Sequence, residues 1–420
     1  MLAPIYKRLG GDEGRREAQE EGLYKPRNAK LLDMLLDLDL DVLCLQEFWL
    51  ESPVLRRLYR EKLAGYRLLE TPRTSRRGDG LLTAVRERNV AVVDKRDIIF
   101  NDCGDRVAQL VRLRRKGGGG GDGGEFLLVS THLLFPHNRN SSLIRLRETY
   151  KILEFVERYR DAHQLPPLPL LLCGDLNGTG SGNVSTFLKS QGFVSTLDAT
   201  LGGRPWISHL SHRNEVVDVD FIYLLSSETR ARFQADWRRT VFAMIEAKFL
   251  ERGSCTTEDA FRALDRNGDG VLQREEFFQG MATLGLCGGD DTIGLTDDEM
   301  GELLECCRSE GGDCATAEVT FEAFCRVLNV EDFEAAYNRI KETNGIWEGA
   351  WEGANWGATD LATASGQGTC ILPPARKAAP AGPDLSIVEA SIPSEFVGAT
   401  AWPEDWGHSD HAPVSVRLSF

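Results

Sequence analysis

No run of apolar residues in this 420-residue chain approaches the roughly 18 that a bilayer-spanning helix needs, so no transmembrane segment is expected. Met1 to Gly10 holds no long apolar stretch, and no secretory leader is read there. The ten cysteines include no CxxC pair and no Cys/His cluster with zinc-finger spacing. A zinc-stapled or disulfide-stapled scaffold is therefore not expected. Cys44 and Cys173 sit inside apolar runs and read as buried free thiols of a reducing compartment, which makes an intracellular, cytoplasmic location the expectation. Lysine is missing altogether between Ser254 and Asp332, where nineteen acidic residues face five arginines. That stretch alone carries −14 of the chain's net −15. The remainder is almost neutral, so it lacks the basic excess of a non-specific nucleic-acid binder. It also lacks an acidic excess that would repel a polyanionic substrate.

What is present is an alternation of strand-like and helix-like segments, in a length that suits two or three domains. Ala29 to Leu40 has apolar residues at helical spacing, and Asp41 to Leu45 reads as a buried strand. Phe126 to Val129, Leu168 to Cys173 and Val216 to Leu224 are further strands, and Val414, Val416 and Leu418 alternate in a last one. Ser141 to Arg160 reads as an amphipathic helix with Leu143, Leu146, Tyr150, Leu153 and Val156 on one face. Gly117 to Gly124 is nearly all glycine and precedes a strand, so it reads as a hairpin loop and not as a phosphate cradle. Arg230 to Glu251 reads as a long helix with Phe233, Trp237, Val241, Ile245 and Phe249 in one stripe, and Val330 to Lys341 as another helix. Gly345 to Pro383 is rich in Gly, Ala, Pro and Trp and reads as a linker.

Several strands end in groups able to do acid–base or metal chemistry. Val42 to Leu45 runs into Gln46-Glu47, Leu127 to Val129 into Ser130-Thr131-His132, and Leu170 to Cys173 into Gly174-Asp175-Leu176-Asn177. Asp220-Phe221-Ile222 places an acid in a strand, and Ser409-Asp410-His411 precedes the last strand. Phosphoester hydrolysis needs a divalent ion, a base for water, and donors for the phosphate oxygens. Glu47 is a hard oxygen donor suited to Mg2+. Asp175 is placed to take the water proton, His132 and His411 to bind phosphate, and Asp220 to hold one imidazole in its tautomer.

In this order the five motifs resemble the endonuclease/exonuclease/phosphatase superfamily, over about residues 1–228 and 385–420. The resemblance implies an α/β (α+β) four-layered sandwich of two mixed β-sheets flanked by helices. It implies Mg2+ (or Mn2+) on Glu47 with help from Asp410, Asp175 as base, Asn177 as an orienting donor, and His411 on the scissile phosphate paired with Asp220. Arg106, Arg145 and Arg147 are candidate substrate contacts. The family pattern opens with an Asn-bearing strand. Here Met1-Leu2-Ala3-Pro4 has no Asn before it, so a domain lacking its first strand, truncated or impaired, is the expectation.

Asp265, Asn267, Asp269, Val271 and Glu276 fill positions 1, 3, 5, 7 and 12 of an EF-hand loop, with Gly270 at the turn. Ca2+ is the expected ion there. A second loop ending near Ala323 has Gly312, Cys314 and Thr316 at the first ligand positions, so it is expected to pair without binding. EF-hands inside such a hydrolase resemble the plant calcium-binding members of the superfamily. The expected organisation is a catalytic part at 1–228, an inserted all-α EF-hand pair at 229–341, a linker at 342–384, and the rest of the catalytic domain at 385–420. The expected activity is metal-dependent hydrolysis of phosphate esters, RNA or nucleotides first. The alternatives are a phosphatase of a small nucleotide or inositol phosphate, and an impaired Ca2+-dependent binding protein.

Overall fold

The computed structural model describes residues 3–9, 14–100, 105–117, 122–136, 141–211, 215–227, 238, 241–242, 245–246, 248–250, 252–254, 256–287, 295–309, 318–328, 385–397, 402, 409–411 and 412–419. It is a mixed α/β fold. Helix α1 (Glu21–Asp37) precedes strand β1 (Val42–Trp49). Ser52 caps α2 (Pro53–Lys62) by accepting from Leu55 N, with Pro53 at the first helical position, a sequence-encoded start. Strands β2 (Tyr66–Pro72) and β3 (Asp79–Arg86) follow, and the antiparallel order is β1-β3-β2.

The larger sheet has six strands. They are β4 (Val90–Ile99), β5 (Val107–Lys116), β6 (Asp122–His132), β7 (Leu170–Asp175), β8 (Val194–Ser195) and β11 (Asp220–Leu225). Its order is β4-β5-β6-β7-β11-β8. β5 and β6 form the hairpin read from the glycine run, and residues 118–121 at its tip lie outside the described residues. α3 (Ser141–Ala162) makes the crossover between β6 and β7, which pair in parallel. α4 (Asn183–Ser190) and α5 (Thr196–Leu201) pack near β8.

The apolar patterning sorts the side chains into three clusters. Leu31, Leu35, Leu43, Phe48 and Tyr59 join α1 and α2 to the outer face of the small sheet. Val85, Val111, Leu113, Leu128 and Leu171 fill the space between the two sheets. Leu127, Val129, Leu146, Leu153 and Val156 join the other face of the large sheet to α3. β3 and β7 are buried along their whole length. That is why β7 reads as a continuous apolar run and not as an alternating one.

The expected strand Val216 to Leu224 is instead two pieces. β10 (Val216–Val217) pairs with β9 (His209–Leu210), and β11 begins at Asp220. The break arises because Ser208 Oγ accepts from Val219 N (3.1 Å) and Asp220 N (3.0 Å), while Asp218 accepts from Gly180 N at 2.9 Å. The last pair is β14 (Ser386–Ser391) with β15 (Ser415–Ser419). A cavity of about 780 Å3 runs between β1 and β15, lined by Leu43, Cys44, Leu171 and Val416. One end reaches Gln46, Gly174, Asp220 and His411. Among the described residues β1 has β3 alone as a strand neighbour.

Residues 238, 241–242, 245–246 and 248–250 are helical, within the long helix read at Arg230 to Glu251. Phe233 and Trp237 of its stripe lie outside the described residues, as do Val330 to Lys341 and the Gly345 to Pro383 segment. Among the described residues α6 (Thr257–Leu264), α7 (Arg274–Thr283), α8 (Asp297–Ser309) and α9 (Phe321–Val327) follow. Between them β12 (Val271–Leu272) pairs with β13 (Val319–Thr320). Gly312, Cys314 and Thr316 lie outside the described residues. The acidic segment does not stand apart. Val241, Ile245, Leu303 and Leu304 share one apolar cluster with α3. Among the described residues, no helix is long and apolar enough to cross a membrane.

Gly174 shows how tightly β6 and β7 are paired. Its φ is +139°, and a Cβ there would lie 1.9 Å from the Thr131 backbone oxygen. Neither backbone can yield without breaking the ladder. Gly174→Ala is expected to cost at least about 3 kcal/mol of stability. Gly22, in α1, meets no atom within 4 Å, so Gly22→Ala is expected to stabilise by about 0.5–1 kcal/mol. Urea midpoints of the two variants against wild type check both signs.

Candidate active site

β7 ends in Asp175 with a neighbour on each side. The parallel register sets His132 of β6 opposite Asp175, and the antiparallel register sets Asp220 of β11 opposite it. Three strands thus present His, Asp and Asp in a row. His132 Nε2 is 3.3 Å from Asp175 Oδ2, and His411 Nε2 is 3.8 Å from the same oxygen. His411 Nδ1 is 2.7 Å from Asp220 Oδ2. Asp175 Oδ1 accepts from Asn177 N at 2.8 Å, and Asn177 Nδ2 donates to Leu133 O at 2.9 Å. Asn177 holds φ +50°, a left-handed conformation that Asn tolerates better than most residues.

Glu47 reaches the site by a different device. The β1–β3 register shifts between Leu45 and Phe48, so Gln46 and Glu47 bulge from the ladder, and Glu47 sits at φ +58°. Its Oε2 accepts from Ala3 N at 2.9 Å. Burial raises the Glu47 carboxyl, and the Asp410 carboxylate nearby adds to that rise. Carboxylate oxygens of this kind form a donor set suited to a hard cation.

Burial pushes Asp175 up to about 7, against the opposing pull of His411. Burial would lower His411, but Asp220, Asp175 and Asp410 outweigh it and push the imidazole up to about 9. Burial would raise Asp220, yet the His411 charge and hydrogen bond hold it below the usual carboxylate range. His132 is lowered well below the usual imidazole value by burial and by the Arg106 cation. At neutral pH the centre therefore holds an Asp220–His411 ion pair, a neutral His132, and an Asp175 poised between its two forms.

Of the three candidate arginines, Arg106 is 6% exposed, and its Nε and Nη1 have no hydrogen-bond partner among the described residues. It is close enough to Glu47 and Asp175 for their charges to act on it. Arg145 donates from Nη1 to Leu134 O at 3.2 Å, two residues beyond His132, and Asp175 acts on its charge. Arg147 does not join them: its Nε is 3.1 Å from Glu299 Oε1 of α8. Positions two apart on a helix point to different sides, so Arg145 and Arg147 cannot both face the strand ends. Arg73 is likewise taken up by Asp79 (3.3 Å) and Asp105 (2.6 Å).

Sequence reasoning missed His209. Its ring stacks on His411 at 4.1 Å between centroids and 27° between planes, and its Nδ1 is 3.1 Å from Asp410 O. β9 is two residues long, too short to leave a periodic signal, so nothing in the sequence marked it.

The acidic loop between α6 and α7 gathers its polar groups on itself. Asp265 accepts from Gly268 N (2.8 Å) and Gly270 N (3.0 Å), Asn267 from Asp269 N (2.8 Å), and Asp269 from Val271 N (3.0 Å). Glu276 accepts from Arg266 N at 3.0 Å and from Gln273 N at 3.2 Å.

Residues 19–243 match the Endonuclease/Exonuclease/phosphatase family. An uncharacterized calcium-binding protein of Arabidopsis thaliana is 32% identical over 438 aligned residues, covering all of this chain and 83% of that protein. The Drosophila melanogaster protein angel is 28% identical over half of this chain and 61% of its own length. Among solved structures, the human Nocturnin catalytic domain has a TM-score of 0.40 at 20% identity, over 49% of this chain and 76% of that one. ANGEL2, a 2',3'-cyclic phosphatase, has a TM-score of 0.41 at 18% identity, over 50% and 76%. The family match over more than half of the chain, together with the full-length plant relative, places this chain in the endonuclease/exonuclease/phosphatase family, whose members hydrolyse phosphoesters.

Proposed function

We propose that this chain is a Mg2+-dependent phosphodiesterase acting on RNA or nucleotides, on a four-layered sandwich interrupted by a calcium-binding EF-hand pair. The observation that carries the catalytic reading is Asp175 Oδ2 lying within 3.3 and 3.8 Å of two imidazoles, one of them ion-paired to Asp220. A divalent ion held by Glu47 and Asp410 would supply charge neutralisation at the phosphate. Mn2+ has the same oxygen preference and would serve there as well. Asp175 takes a proton from water, since a base near neutrality is best matched to that task. His411, kept cationic by Asp220, donates to a phosphate oxygen. Neutral His132 is a second donor, and Asn177 holds the turn that fixes Asp175. Arg106, with two unsatisfied buried nitrogens, is suited to an anionic oxygen. RNA and nucleotides stand first because they are phosphoesters of the kind that the family's chemistry takes. A small nucleotide or inositol phosphate is the next substrate class.

A second reading, a calcium-dependent binding protein without turnover, rests on the acidic loop between α6 and α7 and the β12–β13 pairing alone. Metal-dependent release of product from a generic phosphodiester separates the two readings.

Asp265, Asn267, Asp269, the Val271 carbonyl and Glu276 would hold Ca2+, and the β12–β13 pairing supports two helix–loop–helix units side by side. The inward turn of Asp265 and Glu276 onto loop N–H groups suits the donor set of such a site. Ca2+ at this loop would shift α7 against α8, and α8 carries Glu299 against Arg147.

Two outcomes are expected. Asp175→Asn lowers kcat by about 10²–10⁴-fold, while Glu47→Gln raises the Mg2+ concentration needed for half-maximal rate. Turnover of the Asn variant at near wild-type rate would remove Asp175 as the base. In the second, Ca2+ titrated at fixed Mg2+ changes the rate of wild type and not of Glu276→Gln. Calorimetry in parallel should show one Ca2+ site that the variant loses. Identical kinetics in the two proteins at every Ca2+ level would leave the module a docking or buffering unit.

A further inference from the structure

We propose that His209 is a positioning residue for His411, its ring forming a fixed wall that keeps His411 Nε2 turned toward Asp175. The inference rests on the reading of His411 as the phosphate-binding imidazole. Contacts at the two nitrogens of a ring resist rotation in its plane better than rocking out of it. His411 has Nδ1 2.7 Å from Asp220 and Nε2 3.8 Å from Asp175. A flat partner lying on its face removes that freedom. His209 lies 4.1 Å away and 27° from parallel.

The wall is itself held. His209 belongs to β9, which pairs with β10 at Val217. A backbone bridge joins His209 to His411, Leu210 N donates to Asp410 O at 2.9 Å, and Ala412 N donates to Ser208 O at 2.8 Å. His209 Nδ1 is 3.1 Å from the same Asp410 oxygen. A carbonyl can only accept, so Nδ1 carries a proton and donates there. One side chain thus secures the backbone of Asp410 and the ring of His411, which lie some 200 residues away along the chain. His209 touches neither a reacting atom nor Asp175 in any contact the structure describes, so its part is to place and not to transfer.

Two variants divide the ring from its hydrogen bond. His209→Phe keeps the face and loses Nδ1. His209→Asn keeps a donor for Asp410 O and loses the face. Expected is a fall in kcat of about 10- to 100-fold for Asn with KM nearly unchanged, and recovery to within about 3-fold of wild type for Phe. Equal loss in both would overturn the proposal and give the role to the ring nitrogen. A second readout does not depend on turnover. Long-range 1H–15N NMR of the imidazoles should show a single, sharp His411 pattern in wild type and Phe, and a broadened or shifted one in Asn. An unchanged His411 pattern in Asn overturns the proposal. A wild type without phosphodiesterase activity would instead sink the functional reading, with the NMR still deciding the role of His209.

Discussion

A carboxylate buried at the end of a strand that is itself flanked on both sides must find its partners from the neighbouring strands. Asp175 stands in that position. Burial alone would neutralise it, since an isolated ion in a dry interior costs several kcal/mol. The register of β6 and β11 brings a histidine and a second aspartate to either side, and His411 closes over them. Charge is shared unevenly as a result. Asp220 and His411 take the ion pair, and Asp175 is left near its midpoint at about 7. The division of labour follows from the sheet order. Exchange β7 with an edge strand, and Asp175 would be a solvated carboxylate with an ordinary acidity.

Much of this was legible in the sequence because each group terminates an apolar run. Burial along β7 leaves no alternation, so Leu170 to Cys173 announces a central strand and Asp175 its polar end. What was not legible is what depends on register or on short elements. The bulge at Gln46-Glu47 comes from the β1–β3 pairing, which no local pattern encodes. Val216 to Leu224 has strand composition throughout, yet Ser208, eleven residues before Val219, interrupts it by accepting two backbone N–H groups. His209 sits in a two-residue strand, and its partner is 201 positions away along the chain. Arg147 reads as a candidate substrate contact alongside Arg145, whereas helical geometry sends the two guanidiniums to different sides.

That divergence makes α3 a shared element. On one side Glu148 accepts from Leu134 N at 2.9 Å and Arg145 donates to Leu134 O, fixing the segment just after His132. Burial pushes Glu148 up to about 8, so this contact is held in a dry layer and not at the surface. On another side Arg147, 1% exposed, meets Glu299. Glu299 is not free to swing away. Its Oε2 accepts from Thr296 N and Oγ1, while Thr296 Oγ1 accepts from Glu299 N, a capping box that fixes the start of α8. The start of α8 is therefore locked to the helix that also braces the strand carrying His132.

The same docking bears on how the chain closes its site at all. Asp220 and His411 are 191 residues apart, and the acidic helices lie between them. For an unstructured connection, growth from roughly a dozen residues to that length is about four doublings, or roughly 2–3 kcal/mol of closure entropy. An insert that folds upon itself shortens the effective loop and offsets part of this cost. An insert that also packs against α3 starts the return from a fixed point on the fold, so the search for the His411 position narrows further. Arg147–Glu299, Arg238–Glu302 at 2.7 Å and the apolar cluster through Val241 and Leu303 supply that packing. A buried arginine–carboxylate pair is a poor source of stability by itself, because desolvation cancels most of the attraction. Its value is directional: Arg147 accepts one placement of α8 and penalises the others. The helices between β11 and β14 therefore shorten the loop that must close to bring His411 to Asp220.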